Sequence, residues 1–162
     1  MSKVNEITSK ENLLELFTNL GIEKGDDVMI HSSMKTLGNL INGPFDVIDA
    51  LIETIDIKEG TILMPAHSGQ LSDPSEWNNP PLPAEQVDIA KNAMEPFNKR
   101  TTPVRGRGIV AETFLSYPQI RRSHHPLNSV SALGIRSKLY TTDHDFDKEF
   151  DKGKYSTTPV GS

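Results

Sequence analysis

The sequence predicts an α/β fold, and three observations predict it. Twice in the first 70 residues an amphipathic helix pattern gives way to a short apolar run, giving the order helix–strand–helix–strand. Each run ends in a polar cluster, "HSS" at 31–33 and "HSG" at 67–69, as strands do where a sheet opens toward a ligand. The 162 residues, 35% of them hydrophobic, suffice for one cored domain, and a second complete domain is not expected.

The elements follow in order. In "TSKENLLELFTNLG" Thr8 or Ser9 can cap a helix, Glu11 follows in its first turn and Gly21 stops it. Leu13, Leu14, Phe17 and Leu20 share one face of that helix. In "KGDDVMIHSS" the run Val28–Met29–Ile30 reads as a buried strand with His31, Ser32 and Ser33 at its end. "GPFDVIDALIETI" is a second helix, with Pro44 early and Val47, Ile48, Leu51 and Ile55 facing inward. Gly60 then turns the chain into a strand over Thr61–Met64. "QLSDPSEWNNPPLPAEQ" is rich in proline and asparagine, holds the only tryptophan and is expected as a long functional loop. "TTPVRGRGIVAETFLSY" predicts a turn and a helix of about ten residues, with Ile109, Val110, Thr113 and Phe114 as its apolar side. "SVSALG" is strand-like, and the charged stretch 141–162 offers no closing helix or strand.

Composition narrows the function. Seventeen Lys and Arg against 22 Asp and Glu give a net charge of −5, a poor basis for gripping nucleic acid by its phosphates and a better one for a cationic small molecule. The chain has no cysteine, which excludes a disulfide scaffold, a thiol nucleophile and a cysteine-ligated zinc. No signal peptide is evident, and no run approaches the roughly 18 apolar residues of a membrane span. A soluble cytoplasmic protein without membrane association is therefore expected.

Three clusters could carry chemistry. His31, Ser32 and Ser33 could be a satisfied histidine beside turn serines, a set of donors for a cofactor amide or acyl oxygen, or a serine nucleophile with its base. No GxSxG elbow supports the last of these. "TTPVRGRGIVAE" places two arginines before a helix start, an arrangement that attracts anions but also suits a solvated turn. In "RRSHHP", Arg121, Arg122, Ser123, His124 and His125 precede Pro126. Adjacent histidines point to opposite faces of extended chain, so no metal site is expected, and His125, held extended by Pro126, is the inward one.

Five stretches in succession, "HSSMKTLG" with its following "GP" helix, "EGTILMPAHSG", "DPSEWNNPPLP", "MEPFNKRTTPVRGRGIVAETF" and "YPQIRRSHHPLNSVSALG", resemble the aminoglycoside 3-N-acetyltransferases. The resemblance covers the chain from about residue 10 to residue 140. It implies a three-layer α/β/α domain around a central mixed sheet, incomplete over 1–162 because members of the family are longer. It implies transfer of acetyl from acetyl-CoA to the 3-amino group of a 2-deoxystreptamine antibiotic, hence an antibiotic-resistance acyltransferase without a metal. His31, Ser32, Ser33, Thr102, Arg105, Gly108, Ile109 and Val110 would line the coenzyme path, with Ser123 and His125 nearby, and Asp73 would meet the cationic antibiotic. The family's base histidine has no counterpart among the five histidines here. The resemblance therefore also leaves room for a non-catalytic CoA-binding module, and an open sheet edge for homo-oligomer formation.

Overall fold

The structure, a computed structural model, describes residues 7–144. Ser9 caps α1 (Lys10–Asn19) through a reciprocal pair: its hydroxyl accepts the Asn12 N–H, and the Asn12 side chain accepts the Ser9 N–H. Leu13 and Phe17 enter the core from this helix, whereas Leu20, expected on the same face, lies past the helix end and is 68% exposed. α2 (Pro44–Ile55) starts at Pro44 and buries Val47, Ile48, Leu51 and Ile55 as expected. Its Asp46 turns back onto the Asn42 side chain and N–H, at 2.8 Å each, and these bonds hold its carboxyl below the usual range.

The main sheet has four strands in the order β2 (Asp27–Met29), β4 (Thr61–Pro65), β6 (Val130–Gly134), β5 (Arg121–Arg122). β2 is parallel to β4, with Val28 beside Ile62, and β6 runs antiparallel to both β4 and β5, so the sheet is mixed. β4 is central and every residue of it is buried. Among the described residues β2 is an edge strand, and its alternation corrects the expectation of a buried one: Val28 is half-buried, whereas Met29 is 38% exposed on the face where the covering layer is thin. A separate parallel pair, β1 (Ile7–Thr8) with β3 (Asn39–Leu40), is too short to leave a sequence pattern.

Pleating divides the core between two faces. Ile62, Met64 and Leu133 join Leu13, Phe17, the inward residues of α2, and Val110 and Phe114 of α4 (Ile109–Phe114). On the other face Leu63, Val130 and Ala132 are covered by Tyr140 of α5 (Ser137–Thr141). Helices thus lie on both sides of the sheet, and the second layer is thin. Asp27 on β2 ties α5 across the sheet, accepting from Arg136 and from the Tyr140 hydroxyl at 2.8 Å.

Two stretches differ from the sequence expectation. The long loop after β4 contains two short 3₁₀ turns and α3 (Ala84–Ala93), which buries none of its residues and therefore carries no apolar stripe to read. α4 has six residues rather than about ten, and its buried side is Val110, Ala111 and Phe114, with Ile109 49% exposed. The expected lack of a closing element concerns mostly residues beyond 144, which lie outside the described part.

The β4–β6 register depends on two glycines. A Cβ on Gly134, whose φ is +136°, would sit 2.2 Å from the Gly60 carbonyl oxygen, and one on Gly60 would sit 2.3 Å from Ile55. Gly134→Ala should therefore destabilise the protein by at least about 2 kcal/mol in urea unfolding, combining backbone strain with steric overlap. Gly69→Ala, with nothing within 4 Å of the new Cβ, should change stability by less than about 0.5 kcal/mol.

Candidate functional site

Because β2 and β4 are parallel neighbours, their carboxyl ends reach the same rim of the sheet. The Ile30 N–H still bonds the Leu63 carbonyl, at 2.9 Å, before His31, Ser32 and Ser33 leave the strand. On the β4 side the Ala66 and Ser68 N–H groups donate to the Ser129 and Leu127 carbonyls, at 2.7 and 2.8 Å. The segment before α4 returns over this rim, pinned where the Arg105 N–H donates to the His67 carbonyl at 3.0 Å. Gly108 opens α4 at φ +83°, a conformation that glycine adopts without strain, and a Cβ there would stand 3.8 Å from the Ser32 carbonyl oxygen.

These segments enclose a cavity of about 330 Å³, with His31, Ser32, Ser33, Gly106 and Arg107 on its walls and Ile30, Met64, Pro65 and Ala111 completing them. Two distant stretches singled out in the sequence, "HSS" and "TTPVRGRGIV", therefore meet here. Hydroxyls and an imidazole beside apolar side chains suit a ligand carrying amides and an acyl oxygen. His31 makes no side-chain hydrogen bond to Ser32 or Ser33 among the described residues, so the serine–base pair of a hydrolase is not assembled here. The arginine on the wall is Arg107 rather than Arg105; Val110 is buried and Ile109 half exposed. Thr102 lies off this cavity, its hydroxyl accepting the Asn98 N–H at 2.8 Å.

Behind the rim Arg122 is buried, with no carboxylate partner among the described residues. Its Nε donates to Ser129 Oγ (2.9 Å) and its Nη2 to the Ala66 carbonyl and Ser68 Oγ (2.7 Å each). Its Nη1 reaches the Thr102 carbonyl, and the guanidinium lies 5.1 Å from the Phe97 ring centroid. Burial pushes its pKa down to about 10, so it stays charged at neutral pH. In the sequence Arg122 stands out only as one of a basic pair. The available signal is the pair itself, since two arginines in one strand must face opposite sides and one must turn inward.

His125 is fully buried and His124 exposed, as expected for the inward and outward members of the pair. His125 Nδ1 accepts the Leu127 and Asn128 N–H groups, at 3.1 and 2.8 Å, which assigns its proton to Nε2 and closes the turn after Pro126. Its ring lies 5.2 Å from that of His144. His144 Nδ1 is 2.9 Å from Ser123 Oγ, which itself accepts the Val130 N–H. Ser123 and His125 thus support the rim from behind and do not line the cavity. The place of His144 is not legible in the sequence, where its stretch reads only as charged. Asp73 is exposed and already committed, accepting from the Ser75 N–H (2.9 Å) and hydroxyl (2.8 Å) and pairing with Lys91 (3.0 Å). Among the described residues no three metal-ligating side chains converge, and no helix is long and apolar enough to cross a membrane.

Comparisons with known proteins point to one family. The family described as aminoglycoside 3-N-acetyltransferase matches residues 29–155. The chain is 40% identical over 166 residues to an SPbeta prophage-derived aminoglycoside N(3')-acetyltransferase-like protein of Bacillus subtilis, covering 99% of this chain and 59% of that one. It is 28% identical to aminoglycoside N(3)-acetyltransferase III of Pseudomonas aeruginosa, covering 91% and 53%. The crystal structure of the Bacillus protein superposes with a TM-score of 0.82 at 40% identity, over 87% of this chain and 52% of that one. A structure described as AAC-IIIb binary with CoASH gives 0.72 at 26% identity, over 86% and 50%. The chain spans between half and three-fifths of the length of these relatives.

Two predictions come from this geometry. Arg122→Leu would remove four hydrogen bonds from a buried corner and should cost about 3 kcal/mol or more, whereas Arg121→Leu at the exposed neighbour should cost less than about 0.5 kcal/mol. Arg122→Lys should rescue only in part, since one ammonium cannot span the same acceptors. The bonds from the Ser75 N–H and hydroxyl, with Lys91, bring the Asp73 pKa down to about 2. Its stabilising contribution is therefore complete above the ordinary carboxylate pKa of about 3.9 and is lost as pH falls toward about 2. Carboxyl titration by NMR should show that low midpoint, and Ser75→Ala should raise it.

Proposed function

This chain belongs to the aminoglycoside 3-N-acetyltransferase family, and from that premise we propose that it carries the acetyl-CoA side of such an enzyme's cleft. The observation that carries this reading is the meeting of His31–Ser33 with Gly106–Gly108 around one cavity at the carboxyl ends of two parallel strands. The solved relative named as a CoASH complex supports it, as do relatives whose names give apramycin, a gentamicin and sisomicin as bound molecules. On this reading residues 1–162 form one domain, the N-terminal part of the family's fold. The whole enzyme works in the cytoplasm, where its acetyl donor is available, and confers antibiotic resistance.

In the proposed reaction the 3-amino nitrogen, as free base, attacks the thioester carbonyl carbon. The N–C bond forms, the C–S bond breaks, the sulfur leaves as the coenzyme thiol, and the nitrogen gives up its proton. Ser32, Ser33 and His31 offer donors to the thioester oxygen as charge gathers there, and Arg107 faces the coenzyme's polar arm. Ser123 and His125 act as positioning residues, keeping the rim in place from behind. Asp73 meets an ammonium of the antibiotic by exchanging it for Lys91, and the chain's net charge of −5 suits a polycationic substrate. Two of the five histidines, His125 and His144, are buried in the supporting cluster, and His124 faces solvent.

Calorimetric titration of this chain with acetyl-CoA should show saturable binding, and Arg107→Gln should weaken it several-fold while leaving thermal stability unchanged. Thiol release with a panel of 2-deoxystreptamine antibiotics, run in parallel, separates the enzyme from a module that only binds the coenzyme. Absence of acetyl-CoA binding by the folded chain would refute the reading.

A further inference from the structure

The turn that leads into α2 carries a chemistry that the coenzyme reading leaves unused. Asn42 and Gly43 form the one Asn–Gly pair in the chain, and two separate demands of the fold put them side by side. Gly43, immediately before α2, has φ +62° and ψ −133°, a backbone conformation that any side chain would strain. Asn42 supplies the donors for Asp46: its N–H reaches one carboxylate oxygen and its Nδ2 the other, at 2.8 Å each. Asp46 is only 6% exposed, so few other donors can replace them.

An asparagine followed by glycine is open to attack on its own carboxamide, because glycine has no Cβ to shield the backbone nitrogen. The surroundings here leave that nitrogen accessible. Asn42 is exposed, and nothing lies within 4 Å of the place a Gly43 Cβ would occupy. The Gly43 N–H makes a bond of 3.3 Å to the Leu40 carbonyl, beyond the usual length, so little is lost when the nitrogen is freed.

We propose that Asn42 is a self-modification site, whose deamidation loosens the start of α2. The Gly43 nitrogen gives its proton to water or hydroxide and attacks Asn42 Cγ. The new N–C bond closes a succinimide ring, the carboxamide C–N bond breaks, and its nitrogen takes up a proton and leaves as ammonia. Water then adds to either ring carbonyl and opens the ring to aspartate or isoaspartate at position 42. The product withdraws the Nδ2 donor from Asp46 and sets a second carboxylate against a buried one, an arrangement in which both cannot stay charged in place. Lys10, the cation that acts on Asp46 from α1, is already paired with Glu53 at 2.6 Å. The turn joins the segment after His31–Ser33 to the helix that buries Val47, Ile48, Leu51 and Ile55, so the change reaches the core. None of this rests on the acetyl-CoA reading.

The test begins with the unaltered chain, kept folded for days at mildly alkaline pH and sampled by peptide mass mapping. A protease that cuts at aspartate and not at isoaspartate separates the two products. The mass gain of amide-to-acid exchange is expected at Asn42 first, ahead of the exposed Asn12, Asn19 and Asn98, none of which precedes a glycine. Asn42→Asp, which installs one product directly, should shift the unfolding equilibrium in urea about tenfold toward the unfolded state through loss of a charged hydrogen bond. Asn92→Asp makes the same charge change on α3, which buries nothing, and should leave that equilibrium nearly unchanged. Should Asn42→Asp fail to fold, the aged chain gives the same reading, as a urea midpoint that falls in step with conversion. No conversion at Asn42 while the urea-unfolded chain converts there, or conversion no faster than at the other three asparagines, would overturn the proposal. Stability unchanged by conversion, in the variant or in the aged chain, would overturn it equally. Acetyl-CoA titration of the fresh chain is read separately, so failure of either idea leaves the other standing.

Discussion

Everything at the open rim of the sheet depends on one buried guanidinium. Arg122 takes hydrogen-bond acceptors from three places, the end of β4 at Ala66 and Ser68, the returning segment at Thr102, and Ser129 before β6. Strand ends and loops of this kind carry carbonyls that no sheet partner satisfies, and leaving them dry would be costly. A planar cation with five donors meets several at once, and the geometry fixes where the 101–108 segment crosses the rim. The same segment, pinned again where the Arg105 N–H donates to the His67 carbonyl, supplies Gly106 and Arg107 to the cavity it shares with His31–Ser33.

A further set of polar contacts holds the same corner from the other side. Ser129 Oγ donates to the Ala66 carbonyl at 2.6 Å while accepting from Arg122, and Ser131 Oγ donates to the Met64 carbonyl at 3.1 Å. The His125 turn and the Ser123–His144 contact complete it. Small hydroxyl residues in and beside β6 therefore keep β4 and the "RRSHHP" segment close without bulk. The site chemistry is carried on short loops, but those loops are locked by buried polar groups, as pre-organised binding requires.

How much of this is legible in the sequence varies with burial. α2 and β4 are readable because each buries a full face, and periodicity records burial. α3 is not, since a helix with no buried residue leaves no stripe, and β1, β3 and β5 have two residues each. β2 is placed correctly from sequence but its environment is not, because edge and central strands share one short apolar run. At the site, "HSS" and "TTPVRGRGIV" are recognisable as polar stretches flanking elements, yet only the fold shows that they face each other across one cavity. The roles of Arg122 and His144 depend on contacts 20 to 56 residues away in sequence, which local pattern does not encode.

The most direct test of the coenzyme site is to record amide NMR spectra of this chain with and without acetyl-CoA. The predicted result is a set of shifts that saturate together at Ile30–Ser33 and Gly106–Ala111, while the amides of α3 stay unchanged. Saturable binding that leaves both segments unperturbed would contradict it, because the coenzyme would then occupy a place the strand ends do not build.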